Sequence, residues 1–180
     1  MKLIETDERM MKIIKAASRL NLPDWWICAG FVRSKIWDTL HEFENRTDLP
    51  DVDVIYFDHK DTSETTEKEL EAELKRILPD VPWSVKNEAR MHVVNRIEPY
   101  TSAEDAISKF PETATALGVK IDKDHNLILT APWGVDDVIN LKVNPTPFFR
   151  ESKERAVIYK ERVIQKNWKG IWEKIDVYQL

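Results

Sequence analysis

Residues 51–57 read Asp51-Val52-Asp53-Val54-Ile55-Tyr56-Phe57, a β-branched and aromatic run that predicts a central strand. Two carboxylates with one residue between them stand at its head. Residues i and i+2 of a strand project from the same face, about 6.6–6.8 Å apart along the chain. Both can therefore converge on one divalent ion, or on two ions about 3.5–4 Å apart. Like charges brought together without a cation are costly. The same pair at an exposed strand end can also do no more than solvate it.

Upstream, Trp25-Trp26-Ile27-Cys28-Ala29-Gly30 is short, apolar and ends on glycine, after which Phe31, Ile36, Trp37 and Leu40 resume helical spacing to about residue 42. An extended segment, a glycine turn and a helix follow from that pattern. The free N–H groups and positive dipole end of such a helix suit a phosphate, and Arg33 lies within its first turn. Taken alone, Gly30 reads first as an ordinary tight turn and only second as a phosphate site.

Further out, Met10, Ile13, Ile14, Ala17 and Leu20 predict an amphipathic helix over 7–20, bounded by Pro23. Asp61 and Glu64 have capping-box spacing ahead of a helix over about 64–78, and residues 83–87 read as a second strand. Thr101-Ser102-Ala103-Glu104 predicts a capped short helix. Residues 119–121 and 127–130 predict a hairpin, and 151–166 a final helix, with Trp168 and Trp172 beyond it. The order predicts a single α+β domain with a small mixed β-sheet flanked by helices. Its core spans about 7–100, with a C-terminal hairpin and helix extension over about 101–180.

With 42% hydrophobic and 33% charged residues in 180, the chain can bury a real core. Four glycines, none in GxGxxG or GxxxxGK[ST], exclude a dinucleotide fingerprint and a P-loop. The lone Cys28, the polar N-terminus and the lack of an 18-residue apolar run predict a cytosolic protein without a membrane partner. A net charge of −5 argues against a chain whose main task is to grip a nucleic-acid backbone. Residues 142–174 nevertheless carry nine Lys/Arg against four Glu. That surplus suits a phosphate-bearing partner or a solvated helix face.

The glycine turn and helix followed by DxD on a strand resemble the signature of the DNA polymerase beta-like nucleotidyltransferase superfamily. AGFVRSKIWD, DVDVIYFD, WSVKNEARMH, SAEDAISKFPETATALGV, APWGVDD and KERVIQKNW together look like a bacterial nucleotidyltransferase-like family, long catalogued as a domain of unknown function. The likeness spans about residues 25–172. It implies Gly30, Phe31, Arg33 and Ser34 at a triphosphate-binding turn, and Asp51 and Asp53 as carboxylates binding Mg²⁺ or Mn²⁺. Phe31 stands where the superfamily usually has a second small residue.

The superfamily often adds a third carboxylate from a neighbouring strand. Alternation over 83–88 places Ser84, Lys86 and Glu88 on one face, which makes Glu88 the candidate. Asn87, Arg90 and His92 are candidate substrate contacts; their ordinary alternatives are a strand-end cap, a pairing with Glu, and a partly buried histidine. Asp136 and Asp137 point to opposite faces of extended chain and read as a helix cap or a turn. Trp133, between Pro132 and Gly134, is the tryptophan best placed to be exposed. The resemblance implies transfer of a nucleoside monophosphate from NTP to an acceptor with pyrophosphate release, and the net acidity favours a small molecule or protein over RNA as that acceptor. The alternative is an inactive nucleotide- or partner-binding module on the same fold.

Overall fold

The computed structural model describes residues 1–179. A single turn, α1 (Lys2–Glu5), precedes α2 (Glu8–Ser18), whose Asp7 cap accepts the Met10 N–H at 3.0 Å. Met10, Ile13, Ile14 and Ala17 of α2 are buried, as their spacing predicts. Then come β1 (Trp26–Cys28), α3 (Gly30–Leu40), β2 (Val52–Tyr56), α4 (Glu64–Ile77) and β3 (Trp83–Asn87). A helix absent from the sequence reading, α5 (Glu88–Asn95), follows β3 directly, and α6 is Ala103–Ser108. The predicted hairpin is β4 (Gly118–Ile121) and β5 (Leu127–Thr130). The tail comprises α7 (Asp136–Ile139), β6 (Lys142–Val143), α8 (Pro147–Arg150), α9 (Lys153–Lys166), a 3₁₀ turn at Trp168–Gly170 and β7 (Asp176–Val177).

The five-stranded sheet runs β3-β2-β1-β4-β5, so β2 is an interior strand paired on both edges, and the middle position falls to β1. β1 is three residues long and completely buried, whereas β2 is longer and has a polar head. Within this sheet β2 and β3 are parallel, joined by the crossover helix α4, and the other pairs are antiparallel; β6 and β7 form a separate parallel pair. The sheet is mixed and flanked by helices, an α+β architecture.

One face of the sheet, with Ile27, Val52, Val54, Val85 and Val119, packs on α2, α3 and the C-terminal Trp168, Trp172 and Ile175. The opposite face holds Trp26, Cys28 and Ile55 against Ala103 and Ile107 of α6. Gly118 sits where α6 presses on β1: an added Cβ would lie 3.1 Å from Trp26 Cβ and 3.2 Å from Cys28 Sγ. Two caps fall one or two residues from their predicted places. Ser63, not Asp61, caps α4, while Asp61 accepts from the Ser63 N–H and the Thr66 hydroxyl. Ser102, not Thr101, caps α6. Among the described residues, no helix is long and apolar enough to cross a membrane.

Candidate active site

A cavity of about 250 Å³ lies between the β1–α3 turn and the head of β2. Ala29, Gly30, Arg33, Ser34, Asp51 and Asp53 all line it. The glycine turn and the carboxylate pair therefore open into the same space. Backbone strain at the turn belongs to Ala29, at φ 54° and ψ −116°, in a region that disfavours side chains. Gly30 is instead the first helical residue; a Cβ there would make only ordinary contacts, at 3.7 Å from Arg33 and 3.8 Å from Leu49.

Arg33 is 7% exposed, and its guanidinium carbon lies 5.0, 4.6 and 5.2 Å from the rings of Trp37, Trp168 and Trp172. Three aromatic faces replace much of its water. Burial lowers its pKa to about 10, opposed by the charge of Glu112, so it remains a cation at neutral pH. Nη2 donates to Ser34 Oγ at 3.0 Å, and Nε is buried without a partner. Phe31 turns away into the core and lines a neighbouring cavity of about 510 Å³, which shares Ser34, Thr47, Asp48 and Leu49 with the first.

Asp51 is exposed and Asp53 half-buried. Burial, followed by the charge of Asp51, raises the Asp53 pKa to about 6, while Ser84, Lys166 and Arg162 pull it down. Ser84 stands directly opposite Asp53 in the β2–β3 ladder, so the neighbouring strand meets the acid pair with a hydroxyl. Glu88 falls beyond the end of that strand, as the first residue of α5, and does not line the cavity. It is 6% exposed, and burial, with smaller contributions from Asp53 and Glu67, raises its pKa to about 8. Among the described residues, no group of three or more His, Cys, Asp or Glu is arranged to hold an ion.

The Glu88 environment makes stability fall with pH. The folded state keeps the proton up to about pH 8, whereas an ordinary glutamate releases it near 4.5. Stability is therefore lost as pH rises through that window, at up to about 1.4 kcal/mol per pH unit. Glu88→Gln is expected to unfold in urea like wild type at pH 5 and later than wild type at pH 8.5. A gap that does not change with pH would count against this environment.

Asn87, Arg90 and His92 lie outside the cavity. Asn87 is completely buried, caps α5, and donates to the carbonyls of Asp58 and Asp61 at 2.7 and 2.8 Å. Arg90 makes a two-pronged pair with the buried Glu67 of α4, Nε to Oε1 at 3.1 Å and Nη2 to Oε2 at 2.8 Å. His92 is half-buried, with Nδ1 unpartnered. Asp136 opens α7, and Asp137 accepts from Thr113 and Asn144. Trp133 is 43% exposed, and its indole N–H donates to the Ser108 carbonyl.

Sequence reading passed over Asp48, Arg162 and Lys166 as cavity residues. Asp48 lies in a polar loop only three residues before Asp51, a proximity that was a usable signal. The two cations belong to the basic stretch already noted, but nothing local ties residue 162 to residue 30.

A family model described as Nucleotidyltransferase matches residues 15–177. Among solved structures, one determined by NMR and described as revealing a CCA-adding enzyme head domain is 34% identical. Its TM-score is 0.88, and the match covers 99% of this chain and 95% of that one. The Thermotoga maritima CCA-adding enzyme complexed with tRNA is 16% identical, with a TM-score of 0.59. A CCA-adding enzyme in complex with ATP is 14% identical, with a TM-score of 0.57. Each of these two matches covers 99% of this chain but only 42% of the enzyme, so this chain spans less than half their length. No curated protein matches it.

Proposed function

The chain belongs to this nucleotidyltransferase family, and from that membership we propose that it transfers a nucleoside monophosphate from an NTP to an acceptor hydroxyl, releasing pyrophosphate and a proton. The observation that carries the reading is the shared cavity: the α3 N-terminus and the Asp51–Asp53 pair face one space. A polyphosphate held at the turn would have its reacting end beside the carboxylates.

The acid pair suits a divalent cation. Asp53 is half-buried beside Asp51, neither has a cationic partner within ion-pair distance among the described residues, and the resulting repulsion is what a cation relieves. Asp51 and Asp53 would hold Mg²⁺ or Mn²⁺, which would supply charge neutralisation at the α-phosphate and alignment of the attacking hydroxyl. The amides at the start of α3 would take the β- and γ-phosphates, with Arg33 as the fixed cation behind them. Its ring cage leaves the guanidinium little freedom, so little reorganisation is needed when negative charge arrives. Ser34 Oγ, already accepting from Arg33, can donate its own proton to a phosphate oxygen.

The acceptor hydroxyl oxygen bonds to the α-phosphorus while the bond to the β-phosphate bridge breaks. The reading is tested by incubating the protein with each α-labelled NTP, Mg²⁺ or Mn²⁺, and three acceptor pools: RNA, protein and small molecules. The RNA arm is prompted by the tRNA-bound structural neighbour, the other two by the chain's net acidity. Label transfer by wild type and none by Asp51→Asn is expected. A second reading, a nucleotide-binding module without turnover, is favoured by Ser84 standing where a third carboxylate would complete the acid set. It predicts NTP binding with no labelled product in any arm.

A further inference from the structure

The C-terminal helix contributes a wall to this cavity that neither the glycine turn nor the DxD strand requires. Arg162 and Lys166 are four residues apart on α9, so they share one face, and both line the cavity. Lys166 is exposed, whereas Arg162 is held. Its Nε donates to Glu112 Oε1 at 2.7 Å, and the Thr115 hydroxyl donates to Glu112 Oε2 at 2.7 Å. Glu112 is 0% exposed, and a carboxylate taken entirely out of water needs such partners. The single bond through Nε leaves both terminal nitrogens of the Arg162 guanidinium without a hydrogen-bond partner among the described residues. With Glu112 Oε2 taken by Thr115, the pair is one-pronged, unlike the two-pronged pair between Arg90 and Glu67, and no terminal nitrogen is spent on it.

We infer that Arg162 and Lys166 are ligands for the polyphosphate of the bound nucleotide, and that Glu112 is a positioning residue that aims the Arg162 guanidinium into the cavity. The inference rests on the nucleotidyl-transfer reading of the same site. Asp48, Asp51 and Asp53 give the cavity an acidic side that would repel a polyphosphate, and Arg33 alone is a weak counterweight. The two α9 cations offset that acidic surplus, giving three lining cations against three lining carboxylates. They also make the last third of the chain part of the nucleotide site, because a phosphate bridging Arg33 and Arg162 spans α3 and α9.

Inorganic tripolyphosphate is the probe, titrated calorimetrically without divalent metal so that Asp51 and Asp53 take no part as metal ligands. Lys166→Gln is expected to weaken it about tenfold with an unchanged melting temperature, because Lys166 supports no buried group. Arg162→Gln strands the Glu112 charge, so the decisive form is Arg162→Gln with Glu112→Gln, which removes both charges of the pair. That double variant is expected to fold and to bind tripolyphosphate at least tenfold more weakly. Glu112→Gln alone keeps the cation but loosens its hold; it is expected to raise KM for NTP with kcat unchanged and to steepen the salt dependence of binding. Wild-type affinity in both Lys166→Gln and the double variant overturns the inference and leaves the nucleotidyl-transfer reading standing. Absence of tripolyphosphate and NTP binding by wild type overturns both.

Discussion

Asp53→Asn is expected to lower nucleotidyl transfer by roughly 10³-fold, about 4 kcal/mol of transition-state stabilisation, without unfolding the protein. The amide keeps the shape of the side chain and its place opposite Ser84. It removes the negative charge that, with Asp51, would hold the metal at the reacting phosphate. Stability should move the other way. The Asp53 pKa stands at about 6 against an ordinary 3.8, so the folded state holds the proton more tightly than the unfolded chain does. Stability therefore falls as pH rises through that window. In metal-free buffer at pH 8, Asp53→Asn should melt at or above the wild-type temperature. Single-turnover transfer and thermal unfolding on the same samples test both halves. A loss of only a few fold would remove Asp53 from the metal site, and a lower melting temperature would contradict its electrostatic environment.

Trp172→Ala carries the largest expected cost to stability, about 3–5 kcal/mol. The indole is 1% exposed and meets Trp37 edge-on at 5.1 Å. Its N–H donates to Asp38 Oδ1 at 2.8 Å. The Asp38 carboxylate also accepts the Thr47 N–H and hydroxyl, at 2.9 and 2.7 Å. Truncation thus opens a void, strips one ring from Arg33, and loosens the loop carrying Asp48 and Leu49 into the cavity. Tripolyphosphate affinity should fall together with the urea midpoint. Trp172→Phe keeps a ring but leaves Asp38 one donor short, at about 1–2 kcal/mol. A cost below about 1 kcal/mol for the alanine variant would show that the C-terminal segment is not integral to the core.

Local signals were read well where the physics is local. The β-branched and aromatic content of 51–57 predicts a strand, and Val52–Tyr56 forms one. The apolar spacing of 7–20 predicts a helix, and α2 buries those residues. The caps missed by one or two positions, Asp61 for Ser63 and Thr101 for Ser102, are places where neighbouring polar side chains share the work. Asp61 orders the turn before Ser63, and the Thr101 N–H donates to Asp105. Glu88 was misplaced because alternation says nothing about where a strand stops; the Asn87 side chain, accepting the Ala89 N–H, turns the chain into a helix there.

By itself, the amino-acid order determined the longer helices and strands, α5 excepted, and that two carboxylates share one strand face. Both follow from residues within one or two turns of each other. Tertiary structure decided that β1 takes the centre of the sheet, and that the distant Trp168 and Trp172 join the neighbouring Trp37 around Arg33. It also decided that α9 brings Arg162 and Lys166 to the glycine turn. Those outcomes depend on contacts such as Trp37 to Val138 and Asp38 to Trp172, more than a hundred residues apart. Such contacts leave no periodicity in the chain, because they are selected by the packing of whole elements around a common core.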